Sequence, residues 1–374
     1  MATDAWLTLL YAAQQVSPRS WLDALKTCGS PEALQSESTH ALLARELAAD
    51  AVAKLKSPDA ATLERWRTWL RGPRRALVTF GSAIYPPRLA QLVDAPLALW
   101  VEGNEHSLLS APQLAIVGSR SPTTSGRETA EQFARYLSQR GLTITSGLAT
   151  GIDAASHRGA LRELGGTVAV LGNGIDVIFP RNHAELTADI AAHGLLVSEY
   201  APGVEPQKYF FPQRNRIIAG LSYGTLVVEA TRRSGSLITA KHALENGREV
   251  FAIPGSIHNP LARGCHWLIR QGAKLVEEAA DILVELAPQL RLEGITVPPP
   301  EAAAETAEEL PYANDPSYRK LLDSLGFSPT SIMELSERVQ LTTAELSSML
   351  LVLELEGLVE ALPGGRYSRL GRKK

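Results

Sequence analysis

The sequence predicts an α/β protein whose centre is a mainly parallel sheet covered by helices on both faces. Through the middle of the chain, short apolar segments alternate with helical segments, and several apolar segments run directly into a loop that contains glycine. This alternation is typical of parallel sheets, because each crossover between parallel strands needs a long connection, usually a helix. A helical segment precedes this region and a small domain follows it.

The composition is that of an ordinary globular protein. The chain has 374 residues, enough for roughly two or three domains, with 45% hydrophobic and 21% charged residues. Its formal net charge of −3 gives no overall attraction to nucleic acid, so any such site must come from local clusters of Lys and Arg. We expect a cytoplasmic protein without a membrane partner, because no apolar span reaches transmembrane length and no basic residue precedes the first apolar run.

Residues 1–72 are predicted to form a small helical domain. Apolar residues recur at helical spacing in runs around Trp6, Trp21 and Leu42, and segment 29–31 (GSP) is a break between them. A module of this kind can bind DNA or only pack. The pattern alone favours packing or protein contact.

Residues 73–287 are predicted to form the α/β domain. Two short strands come first, at 77–80 and 97–102, with prolines between them. A helix is predicted at about 125–139, and another after Asp153. The remaining strands are predicted at 114–117, 142–145, 167–171, 195–198, 225–228 and 249–252.

Several of these strands end in glycine loops at what becomes one edge of the sheet. Ligands of doubly wound sheets lie at the carboxyl edge, where glycine lets the backbone approach a phosphate and helix N-termini add partial positive charge. Taken singly, each glycine is more simply explained as turn geometry. The candidate glycines are Gly118, Gly147, Gly151, Gly172, Gly174 and Gly235.

Segment 210–240 concentrates the other candidate binding residues. Phe210 and Phe211 stand beside Arg214 and Arg216, so an aromatic edge adjoins two guanidinium groups that can fork onto phosphate oxygens. Segment 234–236 (SGS) forms a turn before a helix, whose first N–H groups attract anions. Any one of these residues is better explained as core or as a solvated arginine, but the joint arrangement favours a nucleotide strand.

The familiar cofactor and catalytic motifs are absent from the sequence. It contains no P-loop, no dinucleotide fingerprint and no Gly-x-Ser-x-Gly, and its two cysteines lack metal-ligand spacing, so we expect no cofactor and no metal. Asp153 and His157 could form an acid/base pair, but they are equally well explained as a helix cap and a surface residue of the same helix. A nucleotide-processing enzyme, in which Glu229 acts beside Ser234 and Thr239, is the alternative to a binding protein.

The C-terminal part is predicted to be a linker at 288–316, rich in Pro, Ala and Glu, and a separate winged-helix domain at 317–374. Three helical runs are followed by a hairpin with Pro363 at its tip, and Thr342 and Glu345 form a capping box for the third helix. That helix carries acidic residues and no Lys or Arg, so it is poorly suited to reading duplex DNA, and a winged-helix transcription regulator is disfavoured. The positive charges of this domain are Arg366, Arg369, Arg372, Lys373 and Lys374.

The motifs occur in a specific order: AIVGSRSPTTSG at 115–126, SGLATGID at 146–153, GGTVAVLGNGID at 165–176, SEY at 198–200, FPQRNRIIAGLS at 211–222, VVEA with SGSLITA at 227–240, and GREVFAIPG at 247–255. In this number and order they resemble the DprA/Smf family of DNA-processing proteins, over about residues 75–287. The resemblance implies an extended Rossmann-like domain that binds and protects single-stranded DNA and helps load the RecA recombinase in natural transformation and recombination. It also implies a homodimer through that domain, a non-catalytic role, a SAM-like helical domain in front and a winged-helix domain behind.

The resemblance carries DNA-binding positions over to Arg120, Lys208 and Phe211, with Arg181 as a looser match. Because Lys208 is followed by Tyr-Phe-Phe, Phe210 is the alternative to Phe211 for stacking on a base. The complete set of predicted DNA-binding residues is Gly118, Ser119, Arg120, Gly147, Gly172, Gly174, Arg181, Lys208, Phe211, Arg214, Asn215, Arg216, Ser234, Gly235 and Ser236.

Overall fold

A computed structural model of the chain describes residues 2–14, 18–296, 315–326 and 328–370. The chain divides into two compact units, Met1–Pro298 and Pro299–Lys374. No helix in the described ranges is both long and apolar enough to cross a bilayer.

The first unit begins with six helices in its described part: α1 Ala2–Ala13, α2 Pro18–Cys28, α3 Pro31–Ser36, α4 Thr39–Leu43, α5 Ala49–Lys56 and α6 Ala60–Leu70. Ser30, Ser38 and Asp59 cap three of them by accepting a hydrogen bond from the backbone N–H three residues on.

These helices pack directly on the sheet. The Trp66 and Trp69 rings of α6 meet the Trp100 ring edge-on, with centroids 5.5 and 5.6 Å apart. The predicted boundary at residue 72 therefore falls inside one compact unit, because apolar side chains of the helical segment complete their burial against the α/β region.

The strands of the described first unit form one nine-stranded sheet in the order β1-β2-β6-β5-β4-β3-β7-β8-β9. Strands β3 to β9 pair in parallel with one another, whereas β1 pairs antiparallel with β2, and β2 antiparallel with β6. The strands are β1 Arg75–Thr79, β2 Ala98–Gly103, β3 Gln113–Gly118, β4 Thr143–Ser146, β5 Thr167–Leu171, β6 Leu195–Ser198, β7 Gly224–Val228, β8 Glu249–Ala252 and β9 Lys274–Leu275. The predicted mainly parallel sheet is confirmed.

Both faces of the central sheet are buried. Along β3, Leu114 and Ile116 belong to one apolar cluster, while Ala115 and Val117 belong to another. Alternate residues of a strand point to opposite faces, so this division shows core on each side. The helices that supply it are α7 Pro87–Ala90, α8 Thr124–Gln139, α9 Ile152–Ala160, α10 Ala184–His193, α11 Phe210–Leu221, α12 Ser236–Glu245, α13 Arg263–Arg270 and α14 Ala279–Leu292.

Helix α14 continues beyond the predicted start of the linker. Leu286 and Leu290 are both buried, so the packed face of the helix continues past Pro288, and the helix ends at Leu292. Residues 297–314 of the predicted linker lie outside the described residues.

The strand order creates a switch point at the centre of the sheet. From β3 the chain moves through β4, β5 and β6 toward one edge, then returns to β7 on the other side of β3. Loops from β3 and β7 therefore leave in opposite directions and open a crevice at their carboxyl ends, where such sheets bind ligands.

The second unit has the predicted order of three helices and a hairpin. Its elements are α15 Pro316–Leu325, β10 Thr330–Ser331, α16 Ile332–Val339, α17 Thr343–Leu355, β11 Val359–Leu362 and β12 Arg366–Arg369. The predicted capping box of Thr342 and Glu345 is present at the start of α17. Arg372, Lys373 and Lys374 lie outside the described residues.

Candidate functional site

Two adjoining cavities occupy the crevice at the carboxyl ends of β3, β4, β5 and β7. We call the first, of about 130 Å³, the aromatic cavity, because Phe179, Pro180 and Phe211 line it. The second, of about 530 Å³, is the hydroxyl cavity, lined by Ser119, Ser121, Thr231, Ser234, Ser236 and Thr239 among others. Arg120, Ala149, Phe211 and Arg214 border both cavities.

The first turn of α11 decides which phenylalanine faces the crevice. Phe211 is half-buried and its ring centroid lies 5.3 Å from that of Phe179, at an interplanar angle of 36°. Phe210 is only 4% exposed and packs on Tyr200, with ring centroids 4.1 Å apart. Phe211 therefore presents its ring to the crevice, whereas the alternative residue, Phe210, does not border it.

Gly172 provides space for the Phe211 ring. A Cβ atom at Gly172 would lie 2.8 Å from Cδ1 of Phe211, closer than side chains pack. Gly172 is thus explained by the room that the Phe211 ring needs, and not by the close approach of a phosphate to the backbone.

Arg120 is the exposed cation of the crevice. It follows β3, and its guanidinium carbon lies 6.0 Å from the Phe211 ring centroid. Gly118, two residues earlier, is required by packing, because a Cβ there would collide with the carbonyl oxygen of Val228 on β7. Ser119 lines the hydroxyl cavity, and its hydroxyl accepts a hydrogen bond from the N–H of Ser121.

Arg214 forms the floor of both cavities and is not free to fork onto a phosphate. It is buried and donates hydrogen bonds to the carbonyl oxygens of Gly147, at 2.6 Å, and Val170. A Cβ at Gly147 would lie 2.5 Å from the guanidinium, so this glycine makes room for Arg214. Burial lowers the pKa of Arg214 to about 10, so the floor stays positively charged at neutral pH.

Asp153 fixes the loop that Arg214 also holds. Its carboxylate accepts the N–H groups of Gly147 and Ala149 at 3.2 and 3.3 Å, and it borders the hydroxyl cavity. Burial raises the pKa of Asp153, while the Arg214 charge opposes that rise. The loop after β4 is thus held by a carboxylate on its N–H groups and by a guanidinium on its carbonyl oxygen.

His157 is a core residue, and its interpretation as a surface residue is wrong. The ring is fully buried, with Nδ1 2.7 Å from Oγ1 of Thr167. Burial lowers the pKa of His157 to about 3, so the ring is neutral at physiological pH. It faces Thr167 rather than forming an acid/base pair with Asp153.

The start of α12 lies beside the hydroxyl cavity. The Ser234 and Ser236 hydroxyls are 2.7 Å apart, and Asn215 donates from Nδ2 to the carbonyl oxygen of Gly235 at 3.4 Å. Gly235, at the N-cap of this helix, has no side chain to cap it, and the space around Gly235 is open. The first N–H groups of α12 are already paired within the turn, because Ser236 N–H donates to Oγ of Ser234, Leu237 N–H to the carbonyl oxygen of Ser234, and Ile238 N–H to that of Gly235. This end of the cavity therefore offers hydroxyl groups and the partial positive charge of the helix rather than free N–H groups.

Glu229 is engaged in structure. At the end of β7 it adopts φ of +52°, and its carboxylate accepts hydrogen bonds from the N–H and hydroxyl of Thr123 at 2.8 and 2.6 Å. These contacts fix the start of α8. The alternative of a nucleotide-processing enzyme needs this carboxylate for catalysis, and the geometry does not favour it.

Four predicted residues lie away from the two cavities. Arg216 projects from the other side of α11, where it pairs with Glu199 and Asp94, so it is not placed beside the other predicted DNA-binding residues. Gly174 packs against the backbone of Ala201 and Val204, and does not border either cavity. Arg181 and Lys208 are exposed but line neither cavity.

Comparison with known proteins gives consistent matches. A family model described as DNA recombination-mediator protein A matches residues 76–287, and one described as the DprA winged helix domain matches residues 298–365. Protein Smf of Escherichia coli (strain K12) is 46% identical over 314 residues, covering 83% of this chain and 82% of that protein. The chain belongs to the DprA/Smf family.

Other DprA proteins agree in sequence and in structure. DNA processing protein DprA of Streptococcus pneumoniae is 49% identical over 201 residues, which cover 54% of this chain and 71% of that protein. Its crystal structure superimposes with a TM-score of 0.66 at 38% identity, covering 74% of this chain and 95% of that one. A structure of DNA processing protein A from Helicobacter pylori, described for its single-stranded DNA binding mode, superimposes with a TM-score of 0.51 at 29% identity. The match covers 57% of this chain and 96% of that one. The predicted Rossmann-like and winged-helix domains are confirmed.

Proposed function

We propose that this chain binds single-stranded DNA in the aromatic and hydroxyl cavities, without sequence selectivity and without catalysis. The observation that carries the proposal is the exposed guanidinium of Arg120 beside the Phe211 ring, at the carboxyl edge of the sheet. Proteins that bind single strands combine cations for the backbone with aromatic rings for the bases. The single-stranded DNA binding mode described for the Helicobacter pylori relative supports the same ligand here.

The aromatic cavity is the proposed base subsite. Its 130 Å³ lie between apolar walls that include Leu148, Leu171 and the Phe179 and Phe211 rings. A base can enter only when it is neither paired nor stacked in a duplex, so this geometry favours single strands over duplex DNA. Stacking tolerates every base because each has a π-face.

The hydroxyl cavity is the proposed path of the sugar-phosphate backbone. Arg120 stands at its border with the aromatic cavity, and Ser234 and Ser236 offer hydroxyls beside the N-terminus of α12. Arg181 and Lys208, exposed outside both cavities, are proposed to contact phosphates farther along the strand.

Two partners are proposed on the basis of family membership. The DNA recombination-mediator description of the matching family supports a role in protecting DNA and loading RecA recombinase, and we propose a homodimer through the α/β region. Light scattering of the purified chain tests the dimer. RecA assembly on single-stranded DNA covered with a single-strand-binding protein, with and without this chain, tests loading.

Titration of labelled oligo-dT and of an equally long duplex, at several salt concentrations, tests the binding function. We expect tighter binding of oligo-dT and a decrease of affinity with salt. Arg71→Ala is a matched control, because Arg71 is an exposed arginine at the end of α6 that pairs with Glu64. Equal affinity for the duplex and the single strand would refute the proposal.

A further inference from the structure

A third cavity, of about 770 Å³, lies on the other side of α11 from the Phe211 ring. We call it the α1–α11 cavity, since residues of both helices line it, together with residues that follow β6. Its volume is in the range of small-ligand and peptide sites. All of its lining residues belong to the first compact unit.

Helix α11 separates this cavity from the proposed DNA site by its periodicity. Phe211, Arg214 and Asn215 face the hydroxyl cavity, whereas Phe210 and Arg216 face the α1–α11 cavity. The α1–α11 cavity is therefore lined by side chains, such as Phe210 and Arg216, that do not take part in the proposed DNA site.

Arg216 is the buried charge of the α1–α11 cavity, and its hydrogen bonding is incomplete. The side chain is 9% exposed, Nη2 donates to both carboxylate oxygens of Glu199 at 2.7 and 2.8 Å, and Nε lies 3.2 Å from Asp94. Nη1 is buried with no hydrogen-bond acceptor among the described residues. Nη1 has almost no accessible surface, so an occupant of the cavity can reach only the two carboxylates of this cluster.

The charge around Arg216 has a negative excess. Glu199 and Asp94 oppose the single guanidinium, and the Asp94 side chain remains 49% exposed. His242 also lines the cavity, and burial lowers its pKa, so at neutral pH it adds no positive charge. A phosphate chain would meet two carboxylates here, whereas a cationic group would be attracted.

The rest of the cavity wall is aromatic and aliphatic. Tyr200 and Phe210 pack with ring centroids 4.1 Å apart, and Phe210 and Tyr209 with centroids 4.6 Å apart. Leu10 of α1 and Ile238 of α12 also line the cavity. Such a surface suits the aliphatic stem of a lysine or arginine, whose charged end can reach a carboxylate.

We propose that the α1–α11 cavity binds a polypeptide segment of a partner protein through one basic side chain. The cation meets Asp94 and Glu199, and its aliphatic stem packs on Tyr200 and Tyr209. Pro212 and Ile238 line both this cavity and the hydroxyl cavity, so the partner segment binds next to the proposed DNA site while using different side chains.

The probe for this site is the peptide acetyl-Ala-Leu-Arg-Leu-Ala-amide, added to the methyl-labelled full chain and followed by NMR. We expect shifts at the Leu10 and Ile238 methyl groups, and binding several-fold weaker for the peptide with Gln in place of Arg. Asp94→Asn should weaken the Arg peptide by about fivefold, the upper end for a partly exposed ion pair. Asp50→Asn, at an exposed carboxylate of α5, should leave its affinity unchanged.

Oligo-dT affinity, measured on the same Asp94→Asn preparation, separates this proposal from the DNA site and should stay unchanged. Equal affinity for the Arg and Gln peptides, shifts confined to other parts of the chain, or no shifts at all would overturn the proposal. A shift of the Leu10 methyl group by oligo-dT that persists in Asp94→Asn would also overturn it, since the occupant would then be nucleic acid.

Discussion

The ring of Phe179 lies 5.3 Å from the ring of Phe211, tilted by 36°, although Phe179 belongs to the loop after β5 and Phe211 to the first turn of α11. Phe179 is 41% exposed, which is unusual for a phenylalanine in a protein of ordinary composition. The pair forms an aromatic slot beside Arg120, and three of our predictions concern this slot.

Phe211→Ala should weaken oligo-dT binding by roughly 1–3 kcal/mol, because it removes a stacking surface without removing charge. The dependence of the affinity on salt should stay the same. Thermal unfolding of Phe211→Ala and of a core variant, Phe251→Ala, is the control. Phe251 is fully buried, so its replacement should lower the free energy of unfolding by roughly 3–5 kcal/mol, whereas Phe211→Ala should lower it by much less. A large loss of stability with unchanged affinity would identify Phe211 as a core residue instead.

Gly172→Ala should also weaken oligo-dT binding while keeping every charge in place. The new Cβ would lie 2.8 Å from the Phe211 ring, so the ring must move out of the slot. Melting of the same preparation is the control, because a well-folded Gly172→Ala that binds oligo-dT more weakly attributes the loss to the displaced ring rather than to unfolding. If Gly172→Ala binds as tightly as the wild type, the position of the Phe211 ring is not important for binding.

Arg120→Ala should reduce the slope of log affinity against log salt by roughly 0.7, the value for one phosphate contact on a single strand. Arg120→Lys should restore the slope in part, because a lysine keeps the charge but not the planar fork. The Arg71→Ala control should keep the wild-type slope. An unchanged slope in well-folded Arg120→Ala would exclude Arg120 from the phosphate path.

The buried neutral ring of His157 should make the fold sensitive to acid. Its folded-state pKa of about 3 lies below the ordinary value of 6.5, so above pH 6.5 both states are neutral and the residue has no effect. As the pH falls below 6.5, only the unfolded state takes up a proton, and stability decreases by roughly 1 kcal/mol per pH unit. Denaturant unfolding of His157→Gln should show a shallower decrease between pH 6.5 and 4, and parallel curves would contradict this account.

The second compact unit should contribute little to duplex recognition. Helix α17 has Glu345 in its first turn and no Lys or Arg along its length, so the helix that would enter the major groove repels phosphate. Removal of residues 299–374 should therefore leave the already weak duplex affinity nearly unchanged at physiological salt. Sequence-selective duplex binding that disappears with this deletion would contradict the prediction.

Most of the element pattern was predictable, because it depends on local periodicity. The predicted strand at 167–171 matches β5, and the predicted helix at 125–139 differs from α8 by one residue. The N-terminal helical segment was also predictable, but its packing against the sheet was not. This packing depends on contacts of Trp66 and Trp69 with Trp100, and no local pattern specifies contacts between aromatic residues that are distant in the sequence.

The sequence by itself determined the α/β fold, the winged-helix order and the edge of the sheet where a ligand should bind, since glycine loops after parallel strands gather at one edge. Only the tertiary structure decided which side chains of that edge are free. Arg214 and Arg216 look alike in the sequence, but the helical period of α11 turns one into the crevice floor and the other toward Glu199 and Asp94. Which face of a helix meets which partner depends on packing between segments remote in the chain.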